Sequence, residues 1–251
     1  MSATRFLAAA ALLASATLAD AAEVKILTAG AMKAVVLELV PAFEKETGHK
    51  AVVDNDTAGG LLKRIEGGEA FDLAIITPGA LRDLGGKGKV GGATSVARVG
   101  VGVVVKDGAP LPDVSSVEAF KKTLIAAKSV AYIDPASGGS SGIYLTGLFD
   151  KLGIAAEIKP KAKLKQGGYV ADLIASGEAE IGLHQISEIL PVKGVKLVGP
   201  LPAEIQNYTV YAGAVGKDAK QPDGANAMLK LLSGAAADPV LMARGMERSP
   251  P

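Results

Sequence analysis

The 251-residue chain carries 27 Lys and Arg against 26 Asp and Glu, a formal net charge of +1, with 49% hydrophobic and 4% aromatic residues. That length supports a buried core in one or two globular units, and balanced, unclustered charge with few stacking platforms excludes a nucleic-acid partner. With no cysteine, disulfides, a thiol nucleophile and Cys-ligated zinc are excluded; two histidines, His49 and His184, are too few for a multi-histidine metal site, and no cofactor is expected.

Residues 1–21 read as a secretory signal: Arg5, an apolar run from Phe6 to Leu18, and Ala19-Asp20-Ala21 in the small-x-small form of a cleavage site. The run is shorter than the ~20 apolar residues that span a bilayer, and no later segment is long and apolar enough. A mature chain starting near Ala22 and working outside the cytoplasm, in the periplasm, is expected. Lipid anchoring is not, because the cysteine it uses is absent.

"EVKILTAGA" predicts a strand closing in small residues, and Met32, Val35, Val36, Leu39, Val40 and Phe43 recur behind it at helical spacing. Gly48 is the expected C-cap of that helix, and Pro41 a kink. "KAVVDND" is a second strand, "TAGGLLKRIEGGE" a loop entering a short helix, and "FDLAIITP", reaching Thr77, a third strand with a continuous apolar core. Such runs separated by helices indicate a parallel sheet covered on both faces. "GGKGKVGG" reads as an exposed loop; its "GGKGK" lacks the glycine spacing and Ser/Thr of a phosphate-binding loop. From Arg98, "RVGVGVVVK" is a strand, "DPASGGSSGIYLTGLFDKLGI" a strand-end loop and helix, and "GEAEIGLHQISEIL" another. "VKLVGPLP" and "NYTVYAGAV" follow, and "GANAMLKLLSGAAA" closes the chain with Met228, Leu231 and Leu232 as packing residues.

Three loops share one design, an apolar strand end, small residues, then a helix: "TAGAM" at Thr28 to Met32, "TAGG" at Thr57 to Gly60, and "SGGSSG" at Ser137 to Gly142. A helix N-terminus leaves N–H groups free at the positive end of its dipole, so such loops hold an anion without a cationic side chain. Thr57, Ser140 and Ser141 add hydroxyls. The same residues also serve as ordinary caps and turn formers. Three together favour an anion clamp, because strand C-termini in an open α/β sheet share one edge.

In their order, "VKILTAGAMKAVVLELVPAFEKETG", "TAGGLLKRIEGGEAFDLAIITP", "DPASGGSSGIY", "GEAEIGLHQISEI" and "GVKLVGPLP" resemble the periplasmic molybdate-binding proteins, solute receptors of ABC importers. The resemblance runs over essentially the whole mature chain. It implies an α/β, two-lobed type II periplasmic-binding fold, each lobe a mostly parallel sheet flanked by helices. It also implies two chain crossings, placed near Arg98 to Val103 and Ile205 to Thr209. Lobe 1 is then residues 22–100 and 206–251, and lobe 2 residues 101–205. Importer membrane subunits are the implied partners, and a monomer is the default.

The departures from that family bear on the ligand. The family holds a tetrahedral oxyanion with serines in the first loop and hydroxyls in the second, where this chain has Gly30 and Ala31, then Thr57, Ala58 and Gly59. A family tyrosine after the glycine of "IGLHQ" is Gln185 here, beside His184. Fewer side-chain donors predict a wider cavity shaped for a small anion other than molybdate, a carboxylate above all. Arg98 is the candidate anchor, since a guanidinium pairs bidentately with a carboxylate. Thr77, Tyr144 and Tyr169 are further candidate wall residues, and Glu178 and Glu188 read as solvated charges. Bacterial aconitate isomerases resemble the same branch, and in that alternative His184 is the base, its ordinary pKa of ~6.5 suiting proton transfer. A serine hydrolase is disfavoured, there being no G-x-S-x-G elbow.

Overall fold

The computed structural model describes residues 22–249, so the expected signal segment lies outside the described residues. Strand β1 (Glu23–Ala29) runs directly into helix α1 (Gly30–Thr47), and the step recurs with β2 (Lys50–Asp56) and α2 (Ala58–Glu66), then β3 (Leu73–Ile76) and α3 (Pro78–Gly86). Next come β4 (Thr94–Lys106), α4 (Val117–Ala126), β5 (Val130–Ile133), α5 (Ser140–Lys151), α6 (Ala155–Ile158) and β6 (Ala162–Lys165). The chain continues through α7 (Ala171–Ala175), β7 (Ile181–Gln185), α8 (Ile186–Ile189) and β8 (Val195–Pro200). It closes with β9 (Tyr208–Val215), α9 (Pro222–Ser233), α10 (Asp238–Ala243) and β10 (Met246–Arg248).

Helical periodicity explains α1: Met32, Val35, Val36, Leu39 and Phe43 are its buried stripe. The helix continues through Pro41 to Thr47. Pro41 removes one intrahelical N–H, but it and Leu37 both lie on the exposed face, so the position that loses the bond is on the solvent side of the helix. Gly48 then ends the helix at φ 74°, its N–H donating to Glu44 O at 2.9 Å. β3 is buried at all four positions, as a strand covered on both faces must be.

Sheet order is β2-β1-β3-β9-β4-β7-β5-β6, with β8 and β10 pairing β4. The parallel pairs lie towards the two ends, β1 with β2 and β3, and β5 with β6 and β7. Between them β9 and β4 run antiparallel to their neighbours. β4 serves both halves: Thr94 to Gly100 pair with β9, while Val101 to Val104 pair with β7. The core divides at the same place. Val96, Ala97 and Val99 pack with β1, β3, α1 and α9, whereas Val101, Val103 and Val105 pack with Phe120, Leu145 and Phe149. At the division the Gln206 amide takes the role of a missing strand, accepting from Val101 N and donating to Val101 O, both at 2.9 Å.

This topology sets strand ends side by side. Ala29 is in register with Asp56, so the turns into α1 and α2 are neighbours, and parallel pairing of β5 with β7 aligns the turns that follow them.

Two open glycines test the backbone argument, because a Cβ at either Gly48 or Gly147 meets no atom within 4 Å. Gly48→Ala, forced into a left-handed conformation, should lose about 1–2 kcal/mol. Gly147→Ala, inside α5, should gain about 0.5–1 kcal/mol. Urea unfolding of the two variants reads both signs.

Candidate functional site

The turns converge on a cavity of about 30 Å³. One side is formed by Ala29, Gly30 and Ala31 at the start of α1, Asn55 to Ala58 at the start of α2, and Tyr211 of β9. The other is formed by Ile133, by Gly139, Ser140 and Ser141 at the start of α5, by Gly167 and Gly168, by His184 and Gln185 closing β7, and by Glu188 of α8. Among the described residues no lysine or arginine lines it.

Its donors come from helix ends. Neither α1 nor α5 has a side-chain cap, so their first-turn N–H groups are left for another acceptor. In α2 the Thr57 hydroxyl accepts from Gly60 N at 2.9 Å. That same hydroxyl donates across the cavity mouth to Ser137 O. Beside it Gly59 N donates to Gly138 O at 3.1 Å. The two chains approach so closely that a Cβ on Gly59 would lie 2.7 Å from Gly138 Cα. Both positions need glycine.

Behind the helix ends lies a buried polar wall. Gln185 donates to Thr209 Oγ1 at 2.9 Å and to Tyr211 OH at 3.4 Å, and Tyr211 and Ser140 both line the cavity. Gln185 Oε1 and His184 Nδ1 have no partner although both residues are about 98–99% buried. Buried polar atoms almost always find one, and Ser187 Oγ, outside the cavity lining, shares the same state.

His184 Nε2 lies 3.3 Å from Glu188 Oε2, and the residues are only 1% and 7% exposed. Burial, with the Lys165 charge second, pushes His184 down to about 3, and burial pushes Glu188 up to about 8. The nearby N-terminus of α1 opposes this for Glu188, but a helix end offers ~0.3–2 kcal/mol whereas burying an unpaired carboxylate costs several. Burial wins. The pair is neutral near pH 7, with the proton on Glu188.

Of the sequence-derived candidates, Gly30, Ala31, Thr57, Ala58, Ser140, Ser141, His184 and Gln185 are together on the cavity. Gly59 closes over the mouth. Three are elsewhere. Arg98 forms an ion pair with Glu247 at 2.6 Å and stacks over Tyr208 at 4.8 Å, because its place on β4 points it at β9 and β10. Tyr144 donates to Ile205 O and packs on the second core. Thr77 precedes α3 away from the cavity. Tyr169 is half-buried close to Glu188, whose carboxyl adds to the burial that raises it. Glu178 is exposed, as read, but Glu188 is not a solvated charge: apolar Ile186 and Ile189 turn its short helix inward. Its spacing of four from His184 within an apolar stretch was the available signal. Tyr211 was missed too, although Thr209 and Tyr211 alternate on one face of "NYTVYAGAV". Among the described residues no three His, Asp or Glu side chains come together as metal ligands, and no helix is long and apolar enough to cross a membrane.

A family model for the bacterial extracellular solute-binding proteins matches residues 24–247. The chain belongs to that family. An aconitate isomerase from a Pseudomonas species is 33% identical over 216 residues, covering 83% of this chain and 81% of that protein. The molybdate-binding protein ModA of Azotobacter vinelandii is 29% identical over 240 residues, 90% of each. The solved structure of the Azotobacter vinelandii periplasmic molybdate-binding protein superposes with a TM-score of 0.75 at 19% identity, covering 90% of this chain and all of that one. The solute-binding fold is therefore the two-lobed, type II periplasmic arrangement that the sequence implied.

For this solute-binding protein, Gly59→Ala should weaken solute binding at least tenfold in titration calorimetry, because the Thr57–Gly60 turn must withdraw from Gly138. The ligand-free melting temperature should fall as well, because withdrawal of the turn breaks the Gly59–Gly138 and Thr57–Ser137 hydrogen bonds.

Proposed function

We propose that this chain is a periplasmic receptor that captures a small anion, a carboxylate in preference to molybdate, between its two lobes and presents it to the membrane subunits of an ABC importer. The observation that carries the reading is the meeting of uncapped α1 and α5 N-termini with the Ser140 and Ser141 hydroxyls at a buried cavity that no cation lines among the described residues. Such donors suit an anion that is shed again, since they bind by directed hydrogen bonds rather than by a strong counter-charge. Family membership and the molybdate-binding relative support the receptor part. Loss of serines at Gly30 and Ala31 supports a ligand other than molybdate. Residues 22–100 with 206–251, and 101–205, are the lobes in this reading, and withdrawal of the Thr57–Gly60 turn from Ser137 and Gly138 is the opening movement. A ligand larger than a few heavy atoms needs that movement, because a single water already takes ~10–15 Å³ of such a cavity.

A second reading, an isomerase acting on a tricarboxylate, is favoured by the aconitate isomerase relative and by the buried His184–Glu188 pair. The reaction removes a proton from the methylene beside the double bond and returns one at the far alkene carbon, with the double bond shifting between. His184, driven well below neutrality, is too weak a base to do this alone. Glu188 in its ionised form then takes the proton from the methylene, becoming the acid, and returns it at the far carbon, with His184 holding its carboxyl in place.

A melting screen with molybdate, tungstate, sulfate, citrate, and cis- and trans-aconitate decides the ligand class. An anion at a hundred times its Kd should add ~2.7 kcal/mol of stability. Stabilisation by the tricarboxylates is expected, and by molybdate alone would refute the carboxylate preference. Following cis-aconitate in the same sample separates the two readings: appearance of the trans isomer makes the protein an enzyme, and its persistence a receptor.

A further inference from the structure

Two carboxyls line the anion site: Asp56 accepts from Thr57 N and lies 3.8 Å from Arg64, half open to solvent, whereas Glu188 is buried and simple capture does not explain it. Glu188 Oε2 lies 3.3 Å from His184 Nε2, and Oε1 packs so tightly on the first turn of α1 that a Cβ on Gly30 would come within 2.4 Å of it. Resting on the anion reading above, we infer that Glu188 is the proton carrier of the site: the cavity holds its anion only while the Glu188 carboxyl is neutral, so an anion arriving when Glu188 is ionised binds together with one proton from solvent. The ligand class follows, an anion whose oxygen accepts a hydrogen bond from a carboxylic acid. No bond to the ligand forms or breaks; a carboxylate and a proton become an acid.

Among the described residues no neighbouring cation neutralises Glu188 in place of that proton. His184 faces it from β7 and Tyr211 from β9, while Tyr169 senses both Glu188 and Arg244. Arg244 is paired with Glu38 of α1 at 2.7 Å and Arg98 of β4 with Glu247 at 2.6 Å. On the cavity wall Asp56 lies 3.8 Å from Arg64, and Lys165, which acts on His184, lies 3.7 Å from Asp172. Lys33, one turn beyond Gly30, forms no ion pair among the described residues, and Lys106 of β4 and Lys196 of β8 are exposed. Burial keeps Glu188 protonated up to about pH 8. The same burial drives His184 the other way, so His184 does not supply the proton.

The test has a ligand-free arm and a binding arm. Carbon NMR of protein labelled at the glutamate carboxyls should show one group titrating near pH 8, absent from Glu188→Gln; ordinary titration of every glutamate would overturn the inference. Calorimetry with sulfate and trans-aconitate as probes, in buffers of different ionisation heat, should then show about one proton taken up per anion above pH 8. Affinity should fall about tenfold per pH unit there. Glu188→Gln should bind without that slope, and a slope retained in the variant, or binding lost at every pH, would also overturn it. Should the variant fail to fold, the wild-type titration and proton count decide. Should neither probe bind, the anion reading fails, while the carboxyl titration still judges Glu188 by itself.

Discussion

A first-turn N–H group that no side chain caps must find an acceptor or stay in water, and here α1 and α5 both present such turns to one buried cleft. Much of the architecture serves that placement. Parallel pairing puts the end of β1 beside the end of β2, so two helices begin together on one side. Parallel pairing of β5 with β7 does the same opposite. β4 passes through both halves, with separate cores on either side of Gly100, so the two sets of helix ends share a strand but not their packing. Side chains from β9 reach across: Tyr211 lines the cavity with Ser140, and Thr209 anchors Gln185.

A cavity lined by such donors attracts anions, which makes the protonation state of anything acidic inside it decisive. Two like charges about 4 Å apart, at the effective dielectric of ~20 that suits partly buried sites, repel by ~4 kcal/mol. That is comparable to several good hydrogen bonds, each worth ~1 kcal/mol or somewhat more toward a charge. An ionised Glu188 would therefore cancel most of what the helix ends offer. A neutral one adds a donor instead. His184, held neutral by the same burial, adds no charge, and the free cationic side chains stay on the outer surface.

Much of this was legible in the residues. The strand and helix order, the Gly48 cap and the three small-residue turns follow from periodicity and turn chemistry, both local properties. What was misread depended on direction. Arg98 lies in the crossing strand, but alternation along β4 and pairing with β10 aim it at Glu247, which is 149 residues away and invisible to a local pattern. Glu188 looked solvated because glutamate usually is. A helix of only four residues gives too little periodicity to show which face is buried. Tyr144, following the second-lobe serines, looked like a cavity wall, yet its hydroxyl donates to Ile205 O and its ring packs on the second core.

Gly30 and Glu188 are best understood as one feature. The resemblance to molybdate-binding proteins places a serine-bearing loop where this chain has Gly30 and Ala31. A Cβ at position 30 would stand 2.4 Å from Glu188 Oε1, inside any real contact distance. A serine there and a Glu188 carboxyl in its present place exclude each other. Without a side chain at Gly30 the Glu188 carboxyl has room against the first turn of α1, so in the proposed reading a titratable donor from α8 stands where the resemblance implies a hydroxyl. The cavity keeps its hydrogen-bonding capacity, and its strength becomes dependent on one proton.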